Sequence, residues 1–277
     1  MKASLEIPSK SATSRRYRFL CIALIAIGSS FGISWASYSF QDVSGFNFLN
    51  ALASLIFWIA IVGLIFRFPL NSVLKPFASY IRSKKGMVIF AAYMGVHLLV
   101  YGFILEAIIA SLSGASATLI FEPFIGIFSS TLLPKSFGSI LVGFFLSPNI
   151  TLTIVPTIGA SLALYSIAMA LVIGVLVLTN VMKALELRNV CSRVRRSTAI
   201  AAMPIIGVIG GASCCLSLPL FVTLLAPAAI FSSSYQVAYY VTYFLFPSLT
   251  TLVLKLNLSS INKITKGISR QRPGIGK

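Results

Sequence analysis

Long apolar runs separated by short polar stretches set the pattern of this chain. The runs cover residues 19–39, 46–66, 87–111, 117–133, 138–146, 154–181, 198–230 and 237–254. A helix needs about 20 apolar residues to cross a bilayer, so most of these runs read as membrane spans. The pattern predicts an all-α, polytopic transmembrane helical bundle. Eight spans are expected, with 117–147 crossing twice. Six result if 117–147 forms a re-entrant hairpin instead, because 138–146 is short for a full crossing. Between the second and third runs, Leu70, Val73, Leu74, Phe77 and Ile81 recur at helical spacing. That spacing predicts a short helix lying in the headgroup layer and interrupted at Pro76. Pro148-Asn149 marks a turn. The run 154–181 is expected to continue as one helix into the basic stretch 183–196, and the last span is expected to end at Leu254.

Composition agrees with a membrane address. Of 277 residues, 57% are hydrophobic and 10% charged, where a soluble domain carries about 25% charged. The chain reads as a single integral membrane domain over 1–277, located in the cell membrane, with no separate soluble domain. Residues 19–39 have the composition of an anchor or of a cleaved signal, and the long basic lead favours the anchor.

The net charge of +17 comes from 22 basic against 5 acidic residues. In a soluble protein this excess would point to nucleic acid. Here the basic residues cluster between spans, in 1–18, 67–85, 183–196 and 255–277. All four clusters fall on one side if both termini are cytoplasmic, which satisfies the positive-inside rule. The expected partners are therefore the bilayer itself, with anionic headgroups on the cytoplasmic side, and other membrane subunits; nucleic acid is disfavoured.

The stretch 198–230 has no charge over 33 residues but is badly built for a plain anchor. Pro204, Pro219 and Pro227 each remove a backbone donor, and Gly210 and Gly211 precede the adjacent pair Cys214 and Cys215. Pro219 cannot donate to the Cys215 carbonyl, which leaves that oxygen free where there is no water. Gly210, Gly211 and Pro219 are the expected helix break. Loosened there, the helix would let both sulfurs face one soft ion, copper- or mercury-like. Packing alone explains the same residues, since cysteine is a small, well-buried hydrophobe.

Three ionisable residues lie inside apolar runs. His97 is the only histidine, flanked by Tyr93 and Tyr101 at four-residue spacing. A charge there is costly, so the imidazole is expected neutral and hydrogen-bonded, serving as a metal ligand, a proton relay or a polar packing residue. Glu106 and Glu122 are candidates for a transport or proton role. No phosphate loop and no Ser-His-Asp set occurs, so enzymatic chemistry is disfavoured and no catalytic residue is assigned.

The stretch Gly211-Ala-Ser-Cys-Cys-Leu-Ser-Leu-Pro219 resembles the vicinal-cysteine helix of mercuric-ion transport membrane proteins. The resemblance is confined to this helix. Those proteins are shorter and carry the pair in their first span, whereas here it lies in the penultimate one. The resemblance implies a soft metal handed inward by Cys214 and Cys215. Three functions follow in order: a transporter or permease for a soft metal or small solute; a non-catalytic or channel-forming subunit of a larger membrane complex; and a membrane thiol oxidoreductase.

Overall fold

The computed structural model describes residues 10–37, 43–100, 124–128, 136–155, 158–190 and 241–271. They are predominantly helical. Four of their helices are long and apolar enough to cross a membrane: Arg16–Ser37, Phe46–Arg67, Leu164–Leu187 and Tyr243–Thr265. The chain divides into two compact units.

The first unit contains α1 (Lys10–Ser37), α2 (Val43–Arg67) and α5 (Phe137–Leu146). Small residues bring α1 and α2 together: Ser30, Ser34 and Ser37 of α1 are buried, as are Ala53, Ser54 and Ala60 of α2. Small side chains let helix backbones approach where lipid offers no hydrophobic driving force. The Ser34 hydroxyl donates to Asn50 Oδ1 at 2.8 Å, tying the two helices. Gly63 continues the close approach, since a Cβ there would lie 3.1 Å from the Phe19 ring. Rings fill the remainder. Phe31 stacks on Phe137 at 4.4 Å, and Phe57 packs on Phe144 at 4.9 Å. Ser136 caps α5 with a reciprocal pair of hydrogen bonds to Ser139.

The second unit contains α3 (Asn71–Ile81), α4 (Lys84–Gly95), a π-helical turn (Val96–Val100), β1 (Phe124–Phe128), β2 (Asn149–Val155), β3 (Ile158–Ala163), α6 (Leu164–Val190), a second π turn (Val241–Leu245) and α7 (Phe246–Gln271). Its axis is α6. Of that apolar span 83% is buried, against 17%, 28% and 28% for the other three. Val172 to Asn180 is buried without a gap, so α6 is covered on every side. Gly174 lets α4 close on it: a Cβ would lie 3.0 Å from Phe90 Cε2 and 3.3 Å from Met94 Sδ. The three strands form an antiparallel sheet in the order β1-β2-β3, with a bulge near Thr153 and Val155.

Several expectations are corrected. Eight crossings are not what the described residues form. Phe124–Phe128, inside the run 117–133, is a strand paired with β2, and Phe137–Leu146 is only ten residues long, about 15 Å of helix. The run 154–181 is not all helix, because Ile154 lies in β2 and α6 begins at Leu164. The residues that lead into it alternate, Ile150-Thr151-Leu152-Thr153-Ile154, the period of a strand. The helix of 71–81 forms as expected but runs through Pro76. Its apolar stripe meets protein: Val73 is buried, and Phe77 packs edge-on against Phe90 of α4 at 5.7 Å. The last helix does not end at Leu254 but continues to Gln271.

Candidate functional site

His97 is fully buried, on the π turn that follows α4. A π turn inserts one residue into the helical ladder, and such turns concentrate at functional positions. The Tyr93 hydroxyl and His97 Nδ1 share a hydrogen bond of 2.8 Å. Tyr93 is itself buried against α6, where a Cβ on Gly174 would approach its ring to 3.3 Å. The absence of a side chain at 174 thus sets the depth of Tyr93, and Tyr93 sets the imidazole. Among the described residues no three His, Cys, Asp or Glu side chains converge as a metal site. Cys21 is a free, exposed thiol on α1. Cys214, Cys215, Glu106, Glu122, Tyr101, Gly210, Gly211 and Pro219 all lie outside the described residues.

The structure adds a polar seam that the sequence reading missed. Asn180 sits near the end of the apolar run of α6 with no exposure. Its amide donates to the Leu176 carbonyl at 2.8 Å and to the Leu254 carbonyl of α7 at 3.1 Å. Its Oδ1 accepts from Asn257 Nδ2 at 2.9 Å. One turn further on, Lys183 Nζ donates to Asn262 Oδ1. Glu186 follows, accepting from the Tyr80 hydroxyl of α3 at 2.9 Å. Burial, then the hydrogen bond and charge of Glu186, hold the Tyr80 phenol well above its ordinary value of 10.0. An asparagine in an otherwise apolar run was the available signal, because a lone amide in lipid requires a partner.

At the other end of α6 the Tyr165 hydroxyl donates to the Tyr243 carbonyl at 3.1 Å. Proline explains why that oxygen is available. Pro247 lies four residues on and has no N–H to close the α-helical bond back to Tyr243. The first unit repeats the device. Pro148 has no N–H to extend the α5 ladder onto Phe144, and the Phe144 carbonyl accepts from Ser54 Oγ at 3.1 Å and Trp58 Nε1 at 2.7 Å.

These contacts fix directions within the second unit. Along α6 and α7, Tyr165 pairs with Tyr243, Asn180 with Asn257 and Lys183 with Asn262, so the two helices run parallel. Helix α4 runs the other way, since Tyr80 just before it meets Glu186 while Phe90 and Tyr93 meet Gly174. The start of α4, the end of α6 and the basic half of α7 therefore share one end of the unit. Val190 and Val241, which flank the longest stretch outside the described residues, lie at opposite ends of α6, about 40 Å apart. No protein-family model, curated protein or solved structure matches the chain.

Proposed function

We propose that this chain is a multi-pass membrane permease for a soft metal ion or small solute, with Cys214 and Cys215 as the transient site on a broken helix. The observation that carries this reading is His97: a buried imidazole at the break of an apolar helix, held in place by Tyr93. Polar side chains in such helices are costly to bury, and transporters build their sites where helices are interrupted. In this reading Cys214 and Cys215 supply the soft ligands, His97 a third ligand or a proton relay, and Glu106 and Glu122 the proton path. The resemblance of 211–219 to the mercuric-transport helix supports the same cargo class. Replacing both cysteines with serine should abolish metal accumulation in cells expressing the protein; unchanged accumulation and unchanged metal resistance would refute the site.

Six crossings serve this function better than eight. The common basic end of α4, α6 and α7 supports a cytoplasmic placement for that end under the positive-inside rule. The opposite positions of Val190 and Val241 support one crossing by 198–230. The termini are then both cytoplasmic.

A second reading, a non-catalytic subunit of a larger complex, draws on β1. Among the described residues it is an edge strand of the sheet, and Ile125 and Ile127 on one face of it are 74% and 75% exposed. An open edge cannot face hydrocarbon. Extraction in mild detergent should then yield a stable heteromer; a monomer or homodimer would count against this reading.

A further inference from the structure

Three basic clusters that are far apart in sequence meet at one end of the second unit. The bond from Tyr80 to Glu186 brings the end of α3 and the start of α4 against the end of α6. The bond from Lys183 to Asn262 brings α7 to the same level. Arg82, Lys84, Lys85 and Lys263 surround this end, and all four are exposed. Glu186 is the only carboxylate side chain among the described residues, and it is already engaged by Tyr80. Lys183 is held by a neutral amide. Lys84 and Lys85 occupy the first turn of α4, where the helix dipole disfavours cations, so this charge does not serve the helix.

From this juxtaposition we infer that the Arg82, Lys84, Lys85 and Lys263 rim is a composite binding surface for the headgroups of anionic phospholipids. The inference rests on the membrane reading and deepens it: a rim assembled from two distant parts of the chain, held together by α6, binds anionic lipid at one place, beyond the general orienting effect of positive charge. The rim and the lipid are complementary in charge, and the rim lies where apolar α6 and α7 give way to polar sequence. Each basic residue near such a surface contributes about five-fold in affinity.

The test uses the full chain purified in non-ionic detergent and titrated with phosphatidylglycerol or phosphatidylcholine. Retained lipid is counted by native mass spectrometry, with thermal stability measured alongside. Phosphatidylglycerol should be retained and should raise the melting temperature; phosphatidylcholine should do neither. The variant R82Q/K84Q/K85Q/K263Q should weaken phosphatidylglycerol binding about 600-fold, taken from the same per-residue contribution. The variant R16Q/R18Q, which removes two exposed charges from α1, should leave binding intact. Equal retention of the two lipids, or equal loss in both variants, would overturn the inference. So would displacement by millimolar inorganic phosphate, which would assign the rim to a soluble anion. If the fourfold variant does not fold, salt decides: wild-type binding that is unchanged between low and high ionic strength overturns the inference. A chain released from membranes by alkaline carbonate would instead fail the membrane reading itself.

Discussion

The two units bury polar groups by different means. In the first, α1, α2 and α5 are held by rings and small hydroxyls, with Asn50 Oδ1 accepting from Ser34 and the Phe144 carbonyl accepting from Ser54 and Trp58. In the second, α6 is enclosed on all sides, and amides bind it to α7 through Asn180, Asn257 and Asn262. Yet both units answer proline in the same way, by offering a side-chain donor from a neighbouring helix to the carbonyl four residues before it. Without water, an oxygen that loses its helical partner must find another, and that need sets which helices adjoin. The contrast also separates supporting structure from candidate site. The first unit's polar contacts are short hydroxyl, indole and amide bonds, whereas the second also encloses His97 and carries a charged seam at one end.

Substitutions should break the second unit at its tightest point first. Gly86→Val should cost about 3 kcal/mol or more, because a Cβ there would lie 2.0 Å from the Tyr80 carbonyl oxygen and backbone cannot step aside. Thermal unfolding in detergent reads the loss, and a melting temperature equal to wild type would show that the α3–α4 corner is not as described. Next, Asn180→Leu should cost about 2 kcal/mol by leaving the Leu254 carbonyl and Asn257 without this partner. In the first unit, S54A/W58F removes both donors to Phe144 and should cost about 1–2 kcal/mol, with the loss confined to α2–α5 packing.

A smaller effect sharpens the proline argument. Tyr165→Phe should cost about 0.6 kcal/mol, the average for a hydrogen bond between membrane helices. In a Pro247→Ala background, which restores an N–H for Tyr243, the same change should cost almost nothing. A double-mutant cycle with no coupling would show that Tyr165 does not stand in for the missing donor. The smallest effect concerns pH. The Tyr80 phenol is raised in the folded chain, so its contribution is complete below the unfolded value of 10.0 and falls as pH rises beyond it. Stability of wild type and Tyr80→Phe should therefore differ by a constant amount from pH 6 to 9 and converge in alkali.

Much of the helical frame was legible in the hydrophobic pattern, since α1, α2 and the bulk of α6 follow from uninterrupted apolar runs. The sheet was not, because an apolar stretch as long as a span hides a strand unless its period is examined. Ile150-Thr151-Leu152-Thr153-Ile154 alternates strictly, and the hairpin could have been found there. Periodicity correctly placed a helix at Val73 and Phe77 but could not say whether its stripe would face lipid or α4. The proline rule that singles out the Cys215 carbonyl at Pro219 also works at Pro148 and Pro247, where the same four-residue count points to Phe144 and Tyr243, the two carbonyls that side chains reach. Asn180 is hidden by a hydrophobic count over 154–181, although its amide is chemically out of place there. Of the candidate site, His97 alone falls among the described residues, and its hydrogen bond to Tyr93 follows from four-residue spacing.

The permease reading is tested most directly by flux through the purified chain alone, reconstituted into sealed liposomes and given a soft metal ion on one side. The account predicts metal entry above that of empty liposomes, lost in C214S/C215S while the variant remains folded. Flux indistinguishable from empty liposomes, or equal in wild type and variant, would contradict it.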